Sequence, residues 1–437
     1  MRLAAALALL AGAAGANPID AFGLGSRAAA MGGAATAEAD DASACYYNPA
    51  GLAAARELRI DLGYRHALPL LRLNGRAAEI DDARGFVAGI VAPGELFGVH
   101  YAFGAALALP DRALARVRSA AFDAPRFVYY DNRPQRMFLN TSLAVRLPGR
   151  LHFGAGVTFL SRSQGQVDLK GNVAISRPDD SALVSRVDVG LFSVRYPHVG
   201  LSWEANDRLR LGVSFRGEFV LRFDQTFRID GSLGDPGQRP LVEAGFFETR
   251  TLVTDVFQPW QLTAGASLKA APGLTAALDL TFARWSRFPP RPPLSVALDV
   301  GPVFNPLVNL PPAREYPEPG FHDLLIPRLG VEWRAREGRG WALDVRGGYS
   351  YEASPAPEQT GESNLADAAK HSFSLGAGLE LNALQPVVAG GLSIDAHLAA
   401  TWLPTRVNRK ADPLDRVGDF TSGGAVWQAG LTLRSRL

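Results

Sequence analysis

From about residue 57 onward, hydrophobic and polar residues alternate with a period of two, which is the pattern of β-strands with two different faces. In 372–381 every second residue is hydrophobic, and the residues between them are Ser, Gly or Glu. The segments 341–351 and 392–402 repeat this pattern, with Asp, Arg and His on the polar face. A soluble β-sandwich also alternates, so the period by itself predicts strands but not their surroundings.

Three further features favour a membrane barrel over a sandwich. The alternating segments run for roughly 10 residues or more, as tilted membrane strands require. Tryptophans lie near several strand ends, as in the aromatic girdles of outer-membrane barrels. Short links alternate with long ones, which is typical of periplasmic turns and extracellular loops. The short links are 92–94, 147–149, 205–207, 271–273, 336–340 and 382–389, and the long ones are 110–133, 165–183, 230–247, 288–321, 353–369 and 407–421.

The predicted fold is all-β: a 14-stranded antiparallel transmembrane β-barrel over 56–437, with a small N-terminal plug that contains short helices. An even number of strands places both barrel ends on the periplasmic side of the outer membrane. The predicted strands are 57–66, 84–91, 95–109, 134–147, 150–164, 190–204, 208–229, 248–269, 274–287, 323–336, 341–352, 370–381, 390–406 and 422–436.

The N-terminus has the three parts of a secretory signal peptide. Arg2 supplies a positive charge, residues 3–14 are an apolar run, and Ala14-Gly15-Ala16 is an A-x-A cleavage site. We therefore expect residues 1–16 to be a signal peptide, with cleavage after Ala16. An exported chain with this strand pattern is predicted to reside in the outer membrane.

The segment 17–55 differs from the barrel, because it is rich in Ala and Gly and has no two-residue period. Helical turns are expected at 27–30 and 40–45, the second with Asp40 or Asp41 as N-cap. About forty small residues are too many for a linker and suit close packing in a confined space. We predict a plug inside the lumen of the barrel; the alternative is a flexible periplasmic tail.

Composition and motifs give no indication of an enzyme. The net charge is +2, so no global positive field points to a nucleic-acid partner. The one cysteine, Cys45, cannot form an internal disulfide, and the seven histidines lack metal-ligand spacing. The sequence contains no nucleophile elbow, P-loop or zinc-protease motif, so no catalytic residue, metal or cofactor is predicted.

The N-terminal region resembles the FadL/TodX (OmpP1) family of outer-membrane transport proteins. The resemblance is carried by four pieces in order, at 23–27 (GLGSR), 31–34 (MGGA), 39–44 (ADDASA) and 47–52 (YNPAGL). Further similarity is found at 321–333, 349–355 and 371–376, and the middle third is matched only by its strand rhythm. One departure is the terminal Leu437, where barrels of this class commonly end in an aromatic residue.

The resemblance implies a fourteen-stranded barrel closed by an N-terminal hatch, and passive uptake of long-chain fatty acids or aromatic hydrocarbons. In the family the substrate passes from an apolar groove to a pocket against the hatch. It then leaves sideways at an inward kink of the third strand, near a hatch Asn-Pro-Ala. Asn48, Pro49 and Ala50 match that motif, and Gly98 or Gly104 is the candidate for the kink. The alternative for either glycine is simple close packing.

Positive side chains facing the lumen are candidates for holding a substrate carboxylate. They are Arg216, Arg346 and Lys170, and the alternative for each is an ordinary solvated or salt-bridged wall charge. The expected partners are a hydrophobic small molecule and outer-membrane lipid, with the chain acting as a monomer.

Three other functions fit the same scaffold. One is a structural or shuttle protein that serves secretion or envelope assembly. Another is a general diffusion porin, against which a closed plug argues. The third is an outer-membrane enzyme, for which no residues are nominated.

Overall fold

The computed structural model describes residues 18–437 apart from 113–123, 128, 131–135, 175, 177, 236–237, 291–294, 300–304, 306–317, 362 and 383–389. The predicted signal peptide lies outside the described residues. No helix in the described part of the chain is long and apolar enough to cross a membrane.

Fourteen strands form one closed antiparallel barrel, which confirms the predicted fold. Each strand pairs with the next, and β1 closes the ring on β14 with the register Arg59↔Arg436 to Leu73↔Ser422. The strands are β1 (Arg59–Leu73), β2 (Ala83–Leu96), β3 (Val99–Pro110), β4 (Phe138–Leu147), β5 (Leu151–Val173), β6 (Ala182–Glu204), β7 (Leu209–Arg216 and Phe219–Leu233), β8 (Val242–Gln258 and Gln261–Ala271), β9 (Leu274–Ala283), β10 (Leu324–Gly338), β11 (Trp341–Glu352), β12 (Lys370–Leu381), β13 (Gly391–Asn408) and β14 (Phe420–Arg436).

Alternation along the strands separates the outer face from the lumen. On β12, Phe373 and Leu375 are 56% and 69% exposed, whereas Ser374 between them is 6% exposed. Exposed hydrophobic side chains of this kind recur around the outer wall, on β1, β9, β10 and β13. Apolar side chains outside and polar ones inside is the arrangement that a lipid-embedded barrel requires.

Above the barrel the structure departs from the predicted links. The links 165–183 and 230–247 were predicted to be long, but β5 continues to Val173, β6 begins at Ala182, β7 ends at Leu233 and β8 begins at Val242. The upper part of β5 pairs in parallel with the upper part of β7, from Gly165↔Gln225 to Val173↔Leu233. A short strand, Ser295–Asp299, extends this upper sheet by pairing with β8.

The turn predicted at 92–94 is wrong, since Pro93 and Gly94 lie inside β2. The chain reverses at Phe97 and Gly98, which have φ of 50° and 75°. Two consecutive residues at positive φ match the twist of a two-residue hairpin better than a Pro-Gly turn does.

Residues 18–55, called the plug below, contain only short helical turns. These are α1 (Pro18–Phe22), α2 (Ser26–Ala30), α3 (Ala44–Tyr47) and a 3-10 turn at Pro49–Ala54. The helix predicted at 40–45 therefore begins later, and Asp40 and Asp41 do not cap it. Helices this short are not stable alone, so packing against the wall must hold them.

Candidate functional site

The plug is seated against glycines on the inner wall of the barrel. A side chain added at Gly200 would place its Cβ 1.9 Å from Asn48 Oδ1, and one at Gly348 would lie 2.1 Å from the Gly32 nitrogen. Gly154 and Gly265 approach Pro49 and Thr36 in the same way. These glycines belong to β5, β6, β8 and β11, on different sides of the ring, so the plug lies inside the lumen. Glycine in a strand marks such close approach of another backbone.

Asn48 joins three segments of the chain. Its Nδ2 donates to the Thr36 carbonyl at 2.8 Å and to the Leu201 carbonyl of β6 at 2.9 Å. Its Oδ1 accepts from the Ala50 amide at 3.1 Å and so caps the 3-10 turn that begins at Pro49. The Asn-Pro-Ala motif therefore fixes the plug to β6, whereas a gating role for it stays a prediction.

Partly to fully buried ion pairs hold the periplasmic side of the plug. Arg27 contacts Glu332 of β10 at 2.9 Å, and Arg346 of β11 contacts the same carboxylate at 2.6 Å. Arg346 also reaches Asp395 of β13 at 2.6 Å. Burial by itself would raise the pKa of the plug residue Asp40, but Arg27 and other neighbouring arginines lower it to about 2. The plug is thus fixed electrostatically as well as by shape.

A second group of ion pairs links the plug to the closing strands. Arg434 of β14 pairs with the plug residue Asp41 and, at 2.9 Å, with Asp61 of β1. The guanidinium of Arg434 therefore ties β14 to both the plug and β1.

A cavity of about 120 Å³ lies between the plug and the extracellular loops. Phe22, Tyr46 and Tyr47 line it from the plug, and Tyr129 and Tyr130 line it from the loop that joins β3 to β4. The wall contributes hydroxyl and charged groups, from Arg216, Thr263, Asp279, Arg328, Ser350, Glu352, Lys370, Ser372, Ser374 and Thr401. The cavity is therefore aromatic at its two ends and polar around its sides.

An aromatic cluster covers the extracellular side of this cavity. Tyr129 lies 5.3 Å from Trp285 between ring centroids, and Phe288 stacks on Phe321 at 4.1 Å. Lys370 of β12 lies 3.7 Å above the Tyr129 ring. Such ring pairs and cation–π contacts each add stability beyond the buried area. The cluster forms a lid made from residues of separate loops.

The three candidate carboxylate-binding residues are not brought together. Arg216 lines the cavity, but its guanidinium already donates to the Tyr46 carbonyl and to Gln261 and lies 4.1 Å from the Tyr46 ring centroid. Arg346 is buried in the ion pairs with Glu332 and Asp395. Lys170 is exposed on the upper part of β5. Of these three residues, only Arg216 therefore lines the cavity.

The two candidate kink glycines have different places. Gly98 lies in the turn before β3, so its predicted position inside the third strand is wrong. Gly104 lies within β3, which pairs with β2 and β4 without a register shift. A Cβ at Gly104 would lie 2.7 Å from Cys45 Sγ and from Leu52. Close packing with the plug accounts for this glycine.

Arg328, Tyr129 and Tyr130 also line the cavity, although the sequence does not single them out as site residues. Arg328 shares the inward parity of Ile326 and Gly330 on β10, and this parity was available from the sequence. The two tyrosines fall in a loop whose sequence has no period, so no comparable signal marked them.

Cys45 offers a simple test of plug seating. Its side chain is buried, and burial raises the pKa of the thiol to about 12, so the reactive thiolate is scarce at neutral pH. We expect maleimide to label Cys45 at least about a hundredfold more slowly in the folded barrel than in urea, because labelling requires the plug to leave its site. The measurement is the mass increase against time, and equal rates in both states would contradict the described packing.

Comparison with known proteins shows which family and which solved structures this chain resembles. The family model described as outer membrane protein transport protein (OMPP1/FadL/TodX) matches residues 3–413. No curated protein matches. A Pseudomonas aeruginosa FadL homologue superimposes with a TM-score of 0.57 at 15% identity, covering 98% of this chain and 99% of that chain.

Two toluene transporters superimpose similarly. The Ralstonia pickettii transporter TbuX has a TM-score of 0.52 at 17% identity, over 95% of this chain and 99% of its own. The P. putida transporter TodX has a TM-score of 0.54 at 16% identity, over 95% and 99%. At such identities the superpositions show the fold alone. The match of the family model over nearly the whole sequence shows that the chain belongs to the OMPP1/FadL/TodX family of outer-membrane transport proteins.

Proposed function

We propose that this chain is a monomeric channel for passive uptake of small hydrophobic compounds across the outer membrane. Export with cleavage after Ala16 is part of this proposal. The observation that carries it is the cavity that lies between the aromatic lid and the plug. Such a cavity shelters an apolar solute from the hydrated cell surface, and burial of apolar area stabilises it there by about 25 cal/mol per Å². Release into lipid then needs no energy source.

The size of the cavity favours one-ring aromatic compounds over long acyl chains. In volume alone, its roughly 120 Å³ is close to the roughly 150 Å³ of a cavity that binds benzene, although that cavity is wholly apolar and this one has polar sides. Pockets for larger ligands start at about 300 Å³. The solved toluene transporters with the same fold are consistent with this choice. Tyr46, Tyr47, Tyr129 and Tyr130 supply ring faces and edges against which an aromatic ligand can pack.

Uptake by cells lacking their own hydrophobic channels tests the proposal. The chain should increase the accumulation rate of labelled toluene several-fold over an empty vector, and that of labelled oleate by less. A variant lacking residues 18–55 separates plug-gated uptake from leakage, because it should also admit hydrophilic dyes. Toluene accumulation equal to that of the empty vector, with the barrel present in the membrane, would refute the function.

Arg328 is the cavity residue best placed to hold a polar substituent of the substrate. Its Nη1 donates to Thr281 at 2.6 Å, and it makes no ion pair with any described residue. We expect Arg328→Gln to weaken binding of benzoate about tenfold, the range of one charge-assisted hydrogen bond, and to leave toluene binding unchanged. Titration of the purified barrel with both ligands checks this, and equal losses for both would show that Arg328 acts only on the shape of the cavity.

A further inference from the structure

One rung of the barrel wall carries five polar side chains next to one another. In the sheet register, Asp279 of β9 pairs with Arg328 of β10, and Arg328 pairs with Ser350 of β11. Ser350 pairs in turn with Ser372 of β12, and Ser372 pairs with Thr401 of β13. Side chains that pair directly across antiparallel strands lie on the same face, about 5 Å apart. All five line the cavity, so they form one polar stripe along its wall, called the polar rung below.

The plug and the lid give the same cavity its aromatic surface. Phe22 of the plug and Tyr130 of the lid approach each other to 6.4 Å between ring centroids. Tyr46 and Tyr47 of the plug lie edge to face at 5.0 Å. An aromatic ligand packs favourably against such faces and edges. The cavity is therefore amphipathic, with ring surfaces from the plug and the lid and hydrogen-bonding groups from the wall.

Most of the polar rung keeps hydrogen-bonding capacity that the protein does not use. Arg328 has five N–H donors and makes one hydrogen bond with the described residues, at Nη1. Ser372 and Thr401 bond to each other at 2.8 Å, and each hydroxyl can take part in up to three hydrogen bonds. The Ser350 hydroxyl bonds to none of the residues that the structure describes. Asp279 differs, because one of its oxygens accepts from two amides of the plug.

A cargo without polar groups leaves these wall groups without partners. Toluene neither donates nor accepts hydrogen bonds, whereas the hydroxyl of phenol does both. A site whose polar groups bind a ligand hydroxyl discriminates strongly against the analogue that lacks it, because unpartnered polar groups are costly. Phenol and toluene have the same number of non-hydrogen atoms, so the size of the cavity does not distinguish them. The polar rung does.

We propose that the preferred cargo of this cavity is a one-ring aromatic compound with a hydroxyl group, such as phenol. The ring packs against the aromatic side chains of the plug and the lid, and the hydroxyl binds at the polar rung, centred on Ser350. Ser350 lies between Arg328 and Ser372 in the rung, so a hydroxyl that reaches it has a donor on one side and an acceptor on the other. The inference rests on the proposed function and narrows its substrate class.

Removal of the Ser350 hydroxyl tests the proposal. Ser350→Ala should weaken phenol binding about fivefold, the range of one hydrogen bond between neutral groups, and leave toluene binding unchanged. Titration of the purified barrel with each ligand gives the two dissociation constants. The matched control is Ser393→Ala, because this hydroxyl also faces the lumen, near the periplasmic end of β13, but lies outside the cavity. The control should change neither constant.

An apolar rung should shift the preference towards toluene. Ser350→Ala combined with Ser372→Ala and Thr401→Val removes three hydroxyls, so phenol binding should weaken at least about tenfold while toluene binds more tightly. In cells, unlabelled phenol should slow the accumulation of labelled toluene by wild type, and slow it much less in the triple variant. Slow maleimide labelling of Cys45 verifies that the plug stays seated in each variant.

The outcomes separate the two proposals. If wild type does not accumulate toluene, the proposed function fails. If wild type accumulates toluene but Ser350→Ala and the triple variant leave phenol binding unchanged, or weaken the binding of both ligands equally, the function stands and the polar rung does not select the cargo.

Discussion

Replacing Gly348 with valine is expected to open the barrel to ions. A Cβ at this position would lie 2.1 Å from the Gly32 nitrogen and 2.2 Å from the Met31 carbonyl carbon. Both atoms are backbone, so no rotation of a side chain relieves the clash. The strand β11 is held by two ladders, whereas the plug is held by side chains and shape, so the plug must yield. A barrel of fourteen strands without a seated plug leaves a water-filled lumen.

Gly347→Val is the matched control, because the neighbouring residue points to the opposite face of the same strand. The nearest atom to its Cβ is Leu375 Cδ2 at 3.7 Å, an ordinary contact. Single-channel recording in planar bilayers should show steady conductance for Gly348→Val and a closed state for wild type and Gly347→Val. A closed Gly348→Val barrel would mean that the plug tolerates displacement and is not sealed by the glycine contacts.

Replacing Glu332 with leucine is expected to give the largest loss of stability. This carboxylate pairs with Arg27 of the plug and Arg346 of the wall, and its side chain is 16% exposed. Its removal leaves the two guanidinium groups facing each other, with Asp40 and Asp395 as partial compensation. We therefore expect a loss of about 3 kcal/mol, the lower end of the cost of breaking a buried pair from one side. The urea-unfolding free energy of the refolded barrel measures this cost.

A double replacement distinguishes charge from packing. Adding Arg27→Met to Glu332→Leu removes one of the two positive charges that have lost this shared partner, and it should recover part of the lost stability. Glu337→Gln, at the exposed end of the same strand, serves as the surface control and should change the free energy by less than about 0.5 kcal/mol. A loss as large in Glu337→Gln would show that any charge change on β10 is damaging.

Strand positions within the membrane were predictable, because lipid on one side and the lumen on the other impose strict parity. The predicted bounds 341–352 and 370–381 coincide with β11 and β12. Above the membrane both faces of a strand meet water, and the parity signal disappears. For this reason the upper parts of β5 to β8 were assigned to links, although they form ladders.

Only some of the contacts between the plug and the wall could be predicted from the sequence. The Asn-Pro-Ala motif could be singled out by resemblance, and its contact with β6 involves a backbone carbonyl, which leaves no trace in the sequence. From the sequence alone, glycines such as Gly200 and Gly348 would be expected to weaken their strands. The structure shows that each of them allows the plug to approach the wall closely.

The contacts of the plug with the last strand have a consequence for how the protein is made. The Ser26 amide donates to Thr432 Oγ1 at 3.1 Å, across 406 positions of the sequence. The plug is synthesised before the barrel strands, and it therefore finds its full binding surface only after the final strand has joined β1. Contacts so distant in sequence form late in folding. A barrel that lacks its last strand would therefore lack part of the surface that seats the plug.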